Sequence, residues 1–216
     1  MSLTTDSDED DRPLHAVPNP VAAPVPAPVR GPWPGPIDRH RAEAAVGELL
    51  AALGRDADDP QLADTPRRVA AAYAELLDAA PLRLTTFPND EGYDELVLVR
   101  DIPFTSLCAH HLLPFRGVAH VGYLPGDRLL GLSKLARVVE HFARDLQLQE
   151  RLTVQVADCL VERLEPRGVG VVLEAEHLCM AVRGVRSAGA ITRTTRFTGE
   201  LAETGRARFA ESWADR

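Results

Sequence analysis

An α+β fold built on an antiparallel sheet is predicted by three features of this sequence. The periodic segments run two helices, two strands, two helices and then more strands, without the regular strand and helix alternation of a parallel sheet. No internal repeat is present. The 216 residues, 45% of them hydrophobic, can bury one sizeable core, so one domain with appendages fits better than two.

Residues 1–36 read as a disordered, acidic, Pro/Ala-rich tail. They open with Asp6, Asp8, Glu9, Asp10 and Asp11 and hold nine of the 17 prolines, so neither a regular helix nor an apolar face can form. Residues 37–80 read as a helical segment. From Asp38 onward, Ala42, Ala45, Val46, Leu49, Leu50 and Leu53 share one helical face, and Gly54 is a terminator. A second helix is expected with Thr65 as N-cap, Pro66 at its first position, and Val69, Tyr73, Leu76 and Leu77 as its apolar stripe. Arg67 and Arg68 oppose the helix dipole in its first turn, so at least one is expected to answer a ligand or a partner.

The remaining residues, 81–216, form the main domain. After a Pro/Asn/Asp-rich break, Leu96 to Ile102 and Val118 to Leu124 have strand character, the second closed by the Pro125-Gly126-Asp127 turn. Helices are predicted over Ser133 to Ala143 and Gln149 to Leu164. Strands follow over Val169 to Glu174, His177 to Val185 and Ile191 to Phe197, and a short helix over Ala207 to Trp213.

Composition narrows the function. With 24 Lys and Arg against 32 Asp and Glu, the net charge is -8, which argues against general nucleic-acid binding and requires any anionic ligand to find a local cluster of cations. No transmembrane span or export signal is evident, so neither a membrane partner nor secretion is expected. Three widely spaced cysteines make no disulfide framework, which favours a reducing cytoplasm.

Two of those cysteines stand beside histidines, in Cys108-Ala109-His110-His111 and in His177-Leu178-Cys179. A single cysteine or histidine is ordinarily a packing or hydrogen-bonding residue; the pairing points to a metal. In one turn, residues three apart face the same way, so Cys108 and His111 can hold one ion while His110 stays free. If the downstream segment is a strand, His177 and Cys179 share a face, and Cys179 can complete the site. Two thiolates and one imidazole suit zinc, and three protein ligands with an open fourth position suit a catalytic zinc. Arg183 falls on the same face of that strand. Cys159, among Val156, Leu160 and Arg163, reads as core.

Between these stretches, Leu135, Val138, Val139 and Phe142 form the buried face of a helix, leaving Lys134, Arg137 and His141 on the other. Ser133 is expected as its N-cap; taken by itself this is better read as an ordinary amphipathic helix with a basic outer face, while a helix N-terminus with two cations also suits a phosphate chain. Glu150 begins the next helix, where a carboxylate either compensates the dipole or accepts paired hydrogen bonds from a base edge such as guanine's.

Together, Asp64-Thr65-Pro66-Arg67-Arg68, Ser106 to Phe115, Gly131 to Lys134, Gln149 to Thr153, His177 to Met180 and Arg183-Gly184-Val185 resemble type I GTP cyclohydrolase, in that family's order over about residues 38–200. The resemblance implies a tunnelling fold, in which a four-stranded antiparallel sheet carries two helices on one face, with residues 81–216 as the catalytic domain. It also implies a homodecamer of two stacked pentamers with active sites between subunits. It implies Zn2+ held by Cys108, His111 and Cys179, with His110, His177 and Ser133 as catalytic groups. Glu150, helped by Gln149, would read guanine. Lys134, Arg137 and Arg183 would hold the triphosphate, with Arg68 reaching in from a neighbouring subunit. The implied reaction converts GTP and water to 7,8-dihydroneopterin triphosphate and formate.

One position departs from the family pattern. Ala109 stands where the family usually has Glu, which implies a slowed enzyme or a changed product partition. Two competing readings follow. One is another tunnelling-fold enzyme of purine or pterin chemistry, such as a nitrile reductase, which needs a free nucleophilic cysteine. The other is a noncatalytic homologue that binds a purine or pterin.

Overall fold

A computed structural model describes residues 22–24, 36–56 and 59–211. The chain is α+β. Its elements are β1 (Ala22–Pro24), α1 (Arg39–Ala52), α2 (Thr65–Leu77), β2 (Arg83–Pro88), β3 (Val97–Cys108), β4 (Pro114–Leu124), β5 (Arg128–Leu130), α3 (Leu132–Ala143), β6 (Leu146–Gln147), α4 (Gln149–Leu164), β7 (Gly168–His177), α5 (Leu178–Ala181), β8 (Ile191–Gly199) and α6 (Leu201–Glu211). The main sheet has the order β6-β3-β4-β7-β8. Four of these strands are antiparallel neighbours, and the two-residue β6 lies parallel to the end of β3. A small antiparallel sheet, β1-β2-β5, stands apart from it.

Alternation along the strands sends one set of side chains under α3 and α4. Phe115, Ala119, Val121 and Tyr123 of β4 and Val169, Val171, Leu173 and Ala175 of β7 pack with Leu135, Val138, Leu152 and Val156. The opposite set, including Leu124 and Val172, meets Leu201 and Phe209 of α6. The sheet therefore lies between a two-helix layer and the C-terminal helix.

In β3 the strand extends well past the predicted end at Ile102. Its register against β4 shifts between Val99 and Ile102, with Asp101 at φ 57°, so the inward set passes from Val97 and Val99 to Ile102, Phe104 and Cys108. Such a bulge adds one residue and interrupts the period of two, which is why alternation stopped the predicted strand there. Its consequence is that Cys108 reaches the end of the strand on the helix-covered side. The backbone N–H of Asp101 donates to Nδ1 of the buried His120 at 3.2 Å, closing the bulge.

Several local expectations are corrected. The N-cap of α2 is Asp64, with Thr65 already helical, and the N-cap of α3 is Gly131, with Ser133 inside the first turn. Asp64 also answers both Arg67 and Arg68, at 3.4 and 3.0 Å, which explains how two cations sit at a helix N-terminus. His141 is buried, not on the outer face of α3, because its Nδ1 lies 3.0 Å from the Ala80 carbonyl of the incoming chain. The predicted strand from His177 to Val185 ends at His177, and Leu178–Ala181 is a single helical turn. The shared-face argument for His177, Cys179 and Arg183 therefore fails. The final helix begins at Leu201 instead of Ala207, and residues 212–216 lie outside the described residues.

Of the N-terminal tail, Ala22–Pro24 pairs with β2, its Pro24 at the strand end where no ladder N–H is needed. The rest of the predicted disordered tail, 1–21 and 25–35, lies outside the described residues. No helix among the described residues is long and apolar enough to cross a membrane.

Candidate metal centre and its surroundings

Cys108 is the last residue of β3. Its N–H donates to the Leu113 carbonyl at 2.9 Å, and its own carbonyl accepts from the N–H groups of His111 and Leu112, at 3.2 and 2.9 Å. Leu112 adopts φ 55°, reversing the chain into β4. The Tyr73 hydroxyl of α2 donates to the Leu112 carbonyl at 2.8 Å and anchors this turn to the N-terminal helices. The turn brings the His111 ring back over the strand end, with its Nδ1 3.7 Å from the Cys108 sulfur.

Cys179 arrives through sheet register. Phe115 of β4 is the partner of His177 on β7, so the end of β7 lies beside the turn that follows β3. One helical turn then places the Cys179 sulfur 3.9 Å from that of Cys108. The three donor atoms all lie within 4.8 Å of one another.

A tetrahedral zinc with bonds of about 2.3 Å to sulfur separates two sulfurs by about 3.8 Å, so the spacing fits such an ion. The cysteines are not disulfide-bonded. Burial, and then the neighbouring Cys108 sulfur, push the Cys179 thiol up, while Arg183 opposes the shift. Two sulfurs this close are electrostatically poor neighbours as thiolates without a cation between them, which also fits a metal. Cys159 takes no part: it lies on α4 in the core, outside this group, where burial pushes its thiol up to about 11.

His110 is not one of this trio. It is exposed, its ring edge-on to that of His111 with centroids 6.2 Å apart. His177 stacks flat on Phe115, with centroids 4.5 Å apart and planes 3° from parallel, and its Nε2 lies 2.8 Å from Oε1 of Gln149. Burial lowers the pKa of His177 and the nearby Glu150 carboxylate opposes that shift, so the neutral ring is favoured.

Gln149 is buried, and its amide nitrogen faces Leu173 O, Thr192 O and Thr194 Oγ1. Glu150, beside it at the start of α4, is exposed, and its charge is felt by His177. Lys134 and Arg137 line a cleft of about 290 Å³ with Arg83, Glu140, His141 and Arg144. Ser133 is exposed on the first turn of α3. Arg183 follows the one-turn helix and is close enough to favour the Cys179 thiolate. Arg68 is held by Asp64 at the start of α2.

Thus the trio, His177, Gln149, Glu150 and Arg183 converge, while Lys134 and Arg137 occupy the cleft. Neither the Phe115 platform nor the Thr194 contact is legible in the sequence, since both depend on strand register.

The chain is similar to known proteins over most of its length. The profile of the family described as GTP cyclohydrolase I matches residues 42–213. A GTP cyclohydrolase 1 of Mycolicibacterium vanbaalenii is 56% identical over 180 residues, spanning 81% of this chain and 89% of that protein. One from Mycobacteroides abscessus is 58% identical over 171 residues, 76% of this chain and 83% of that protein. One from Allorhizobium ampelinum is 54% identical over 168 residues, 76% and 84% of the two chains. Among solved structures, the apo form of an archaeosine synthase gives a TM-score of 0.41 at 17% identity over 48% of this chain and 93% of that one, too slight a likeness to carry an argument.

Proposed function

The chain belongs to the GTP cyclohydrolase I family and is an enzyme with that family's activity on GTP, and on that premise we propose which of its residues do the work. The reaction takes GTP and water to 7,8-dihydroneopterin triphosphate and formate, the entry to pterin and tetrahydrofolate synthesis. The single observation that supports the assignment best is the convergence of Cys108, His111 and Cys179 within 4.8 Å, with His177 two residues from Cys179.

We assign Cys108, His111 and Cys179 as the ligands of a zinc ion. Zinc bound by three protein ligands supplies Lewis acidity and lowers the pKa of a coordinated water toward ~7. Glu150 accepts the adjacent N–H donors of the guanine edge, which holds the purine C8 toward the metal ligands. His177 gives a proton to N7 as the imidazole ring opens, general acid work for which an imidazole beside the metal ligands is placed. Lys134, Arg137 and Arg183 bind the triphosphate, with Arg68 contributed by a neighbouring subunit. His110 and Ser133 assist ribose opening and closure of the new ring.

The main sheet with α3 and α4 on one face is read as a tunnelling fold, with residues 81–216 as its catalytic domain, 37–80 as the helical segment and 1–36 as the tail. Ten chains assemble as two stacked pentamers in the cytoplasm.

Formate release from GTP by the purified chain tests the assignment. Activity lost to a chelator and regained with zinc, together with a His177→Ala chain that keeps its metal and loses turnover, supports it. Full formate release by the metal-free chain rejects it.

A further inference from the structure

Gln149 opens α4, is only 2% exposed, and touches two strands, β7 and β8. Its Nε2 lies 3.2 Å from Leu173 O on β7, and 3.0 Å from Thr192 O and 3.1 Å from Thr194 Oγ1 on β8. Carbonyl oxygens only accept, so the nitrogen end of the amide must face them; the reversed amide would set oxygen against two carbonyls. The hydroxyls are directed as well. Thr153 donates to Gln149 O at 2.8 Å, so the 2.7 Å contact between the two hydroxyls is a donation from Thr194 to Thr153. That leaves Thr194 free to accept from the Gln149 amide.

With its nitrogen end committed, Gln149 presents Oε1 to His177 Nε2 at 2.8 Å. An amide oxygen cannot donate, so the hydrogen belongs to the imidazole. A neutral imidazole has one N–H, and that hydrogen is on Nε2, leaving Nδ1 as the bare nitrogen. Among the described residues, Nδ1 has no hydrogen-bond partner. Flat stacking on Phe115, at 4.5 Å and 3°, holds the plane of the ring.

We propose that Gln149 is a positioning residue that locks His177 in the Nε2–H tautomer and so makes Nδ1 the atom that exchanges its proton with the substrate. This rests on the reading of His177 as the general acid. Solvent protonates Nδ1, the proton passes from Nδ1 to N7, and Nε2 keeps its hydrogen throughout. Gln149 thereby acts through His177 and not on the guanine, although it adjoins Glu150 in the chain.

Solid-state 15N spectra of histidine-labelled, metal-loaded protein, with the His177 signals identified by their absence in His177→Ala, read the tautomer directly. The wild type is expected to show a protonated Nε2 and a bare Nδ1, and Gln149→Leu to show both tautomers. A wild-type hydrogen on Nδ1, or an unchanged Gln149→Leu spectrum, overturns the lock. In kinetics, Gln149→Leu should lower kcat about 10- to 100-fold while KM for GTP stays within about 2-fold. The same substitution should cost nothing further in a His177→Ala background, because the two side chains act as one unit. A weaker Kd for GTP on Gln149→Leu that persists in that background overturns the positioning role in favour of direct base contact. Full turnover of His177→Ala with the expected tautomer removes the acid role of His177, and with it the catalytic half of the proposal, while leaving the lock standing.

Discussion

Ala109 puts a methyl group between Cys108 and the two histidines. It is half-buried, and its N–H donates to the Gln147 carbonyl at 3.0 Å, so the backbone of the turn is held without help from the side chain. Position 109 adjoins the candidate ligand Cys108 in the chain, and losses of groups that support metal ligands commonly cost about 10- to 100-fold. Ala109→Glu is therefore expected to raise turnover several-fold in the formate assay, and unchanged turnover would remove the inference. A second residue sets acid stability. His120 is 1% exposed, and its burial lowers its pKa below the ordinary 6.5 despite the nearby Asp101 and Glu174 carboxylates; Arg193 adds to the lowering. The unfolded chain then binds the extra proton first, so stability present above about pH 6.5 is lost as pH falls toward the lowered value. His120→Asn keeps an acceptor for the Asp101 N–H but does not titrate. Its Tm should change less than the parent's from about pH 7.5 to about pH 5, and equal slopes would contradict this.

At the scale of elements, α6 is pinned to the sheet by one ring. Phe209 is fully buried against Leu124, Val172 and Leu201, with the Phe197 ring edge-on at 5.2 Å. Gly170 makes the room, since a Cβ there would come within 2.6 Å of the Phe209 ring. Phe209→Ala should cost about 3–5 kcal/mol in urea unfolding, and a loss under about 1 kcal/mol would mean that α6 is not docked this way. The four long helices were legible because their apolar residues recur every three to four positions; Gln149–Leu164 falls where the sequence put it. The short strands β2, β5 and β6 were not, since two to six residues paired at a distance leave no local period. At Leu178 a strand was expected from continuing apolar residues, whereas the chain turns helically for four residues before the glycine-containing loop. The candidate metal ligands were legible from donor chemistry and spacing. Their convergence was not, because it comes from Phe115 pairing with His177 and from the bulge in β3.

At the scale of the whole molecule, the single chain leaves apolar surface that an assembly can cover. No residue of α1 is buried, and Leu49 and Leu53 on its apolar face are 55% and 62% exposed. β8 is the outer strand of its sheet, and Ile191 at its start is exposed. Such surface is costly in water, by about 25 cal/mol per Å² of apolar area, and is what the proposed assembly would cover. Light scattering of the purified chain is expected to report a decamer, and the Leu49→Glu, Leu53→Glu double variant a smaller assembly; an unchanged size for the variant would place α1 outside the interface. The chemistry, however, depends on one local arrangement, two sulfurs and an imidazole brought together at the C-terminal ends of β3 and β7, the two strands that flank β4. Metal content per chain, measured for the wild type and for Cys179→Ala after identical purification, tests it most directly. One zinc per chain in the wild type and none in the variant is the expected result, and an unchanged zinc content in Cys179→Ala would contradict the three-ligand centre.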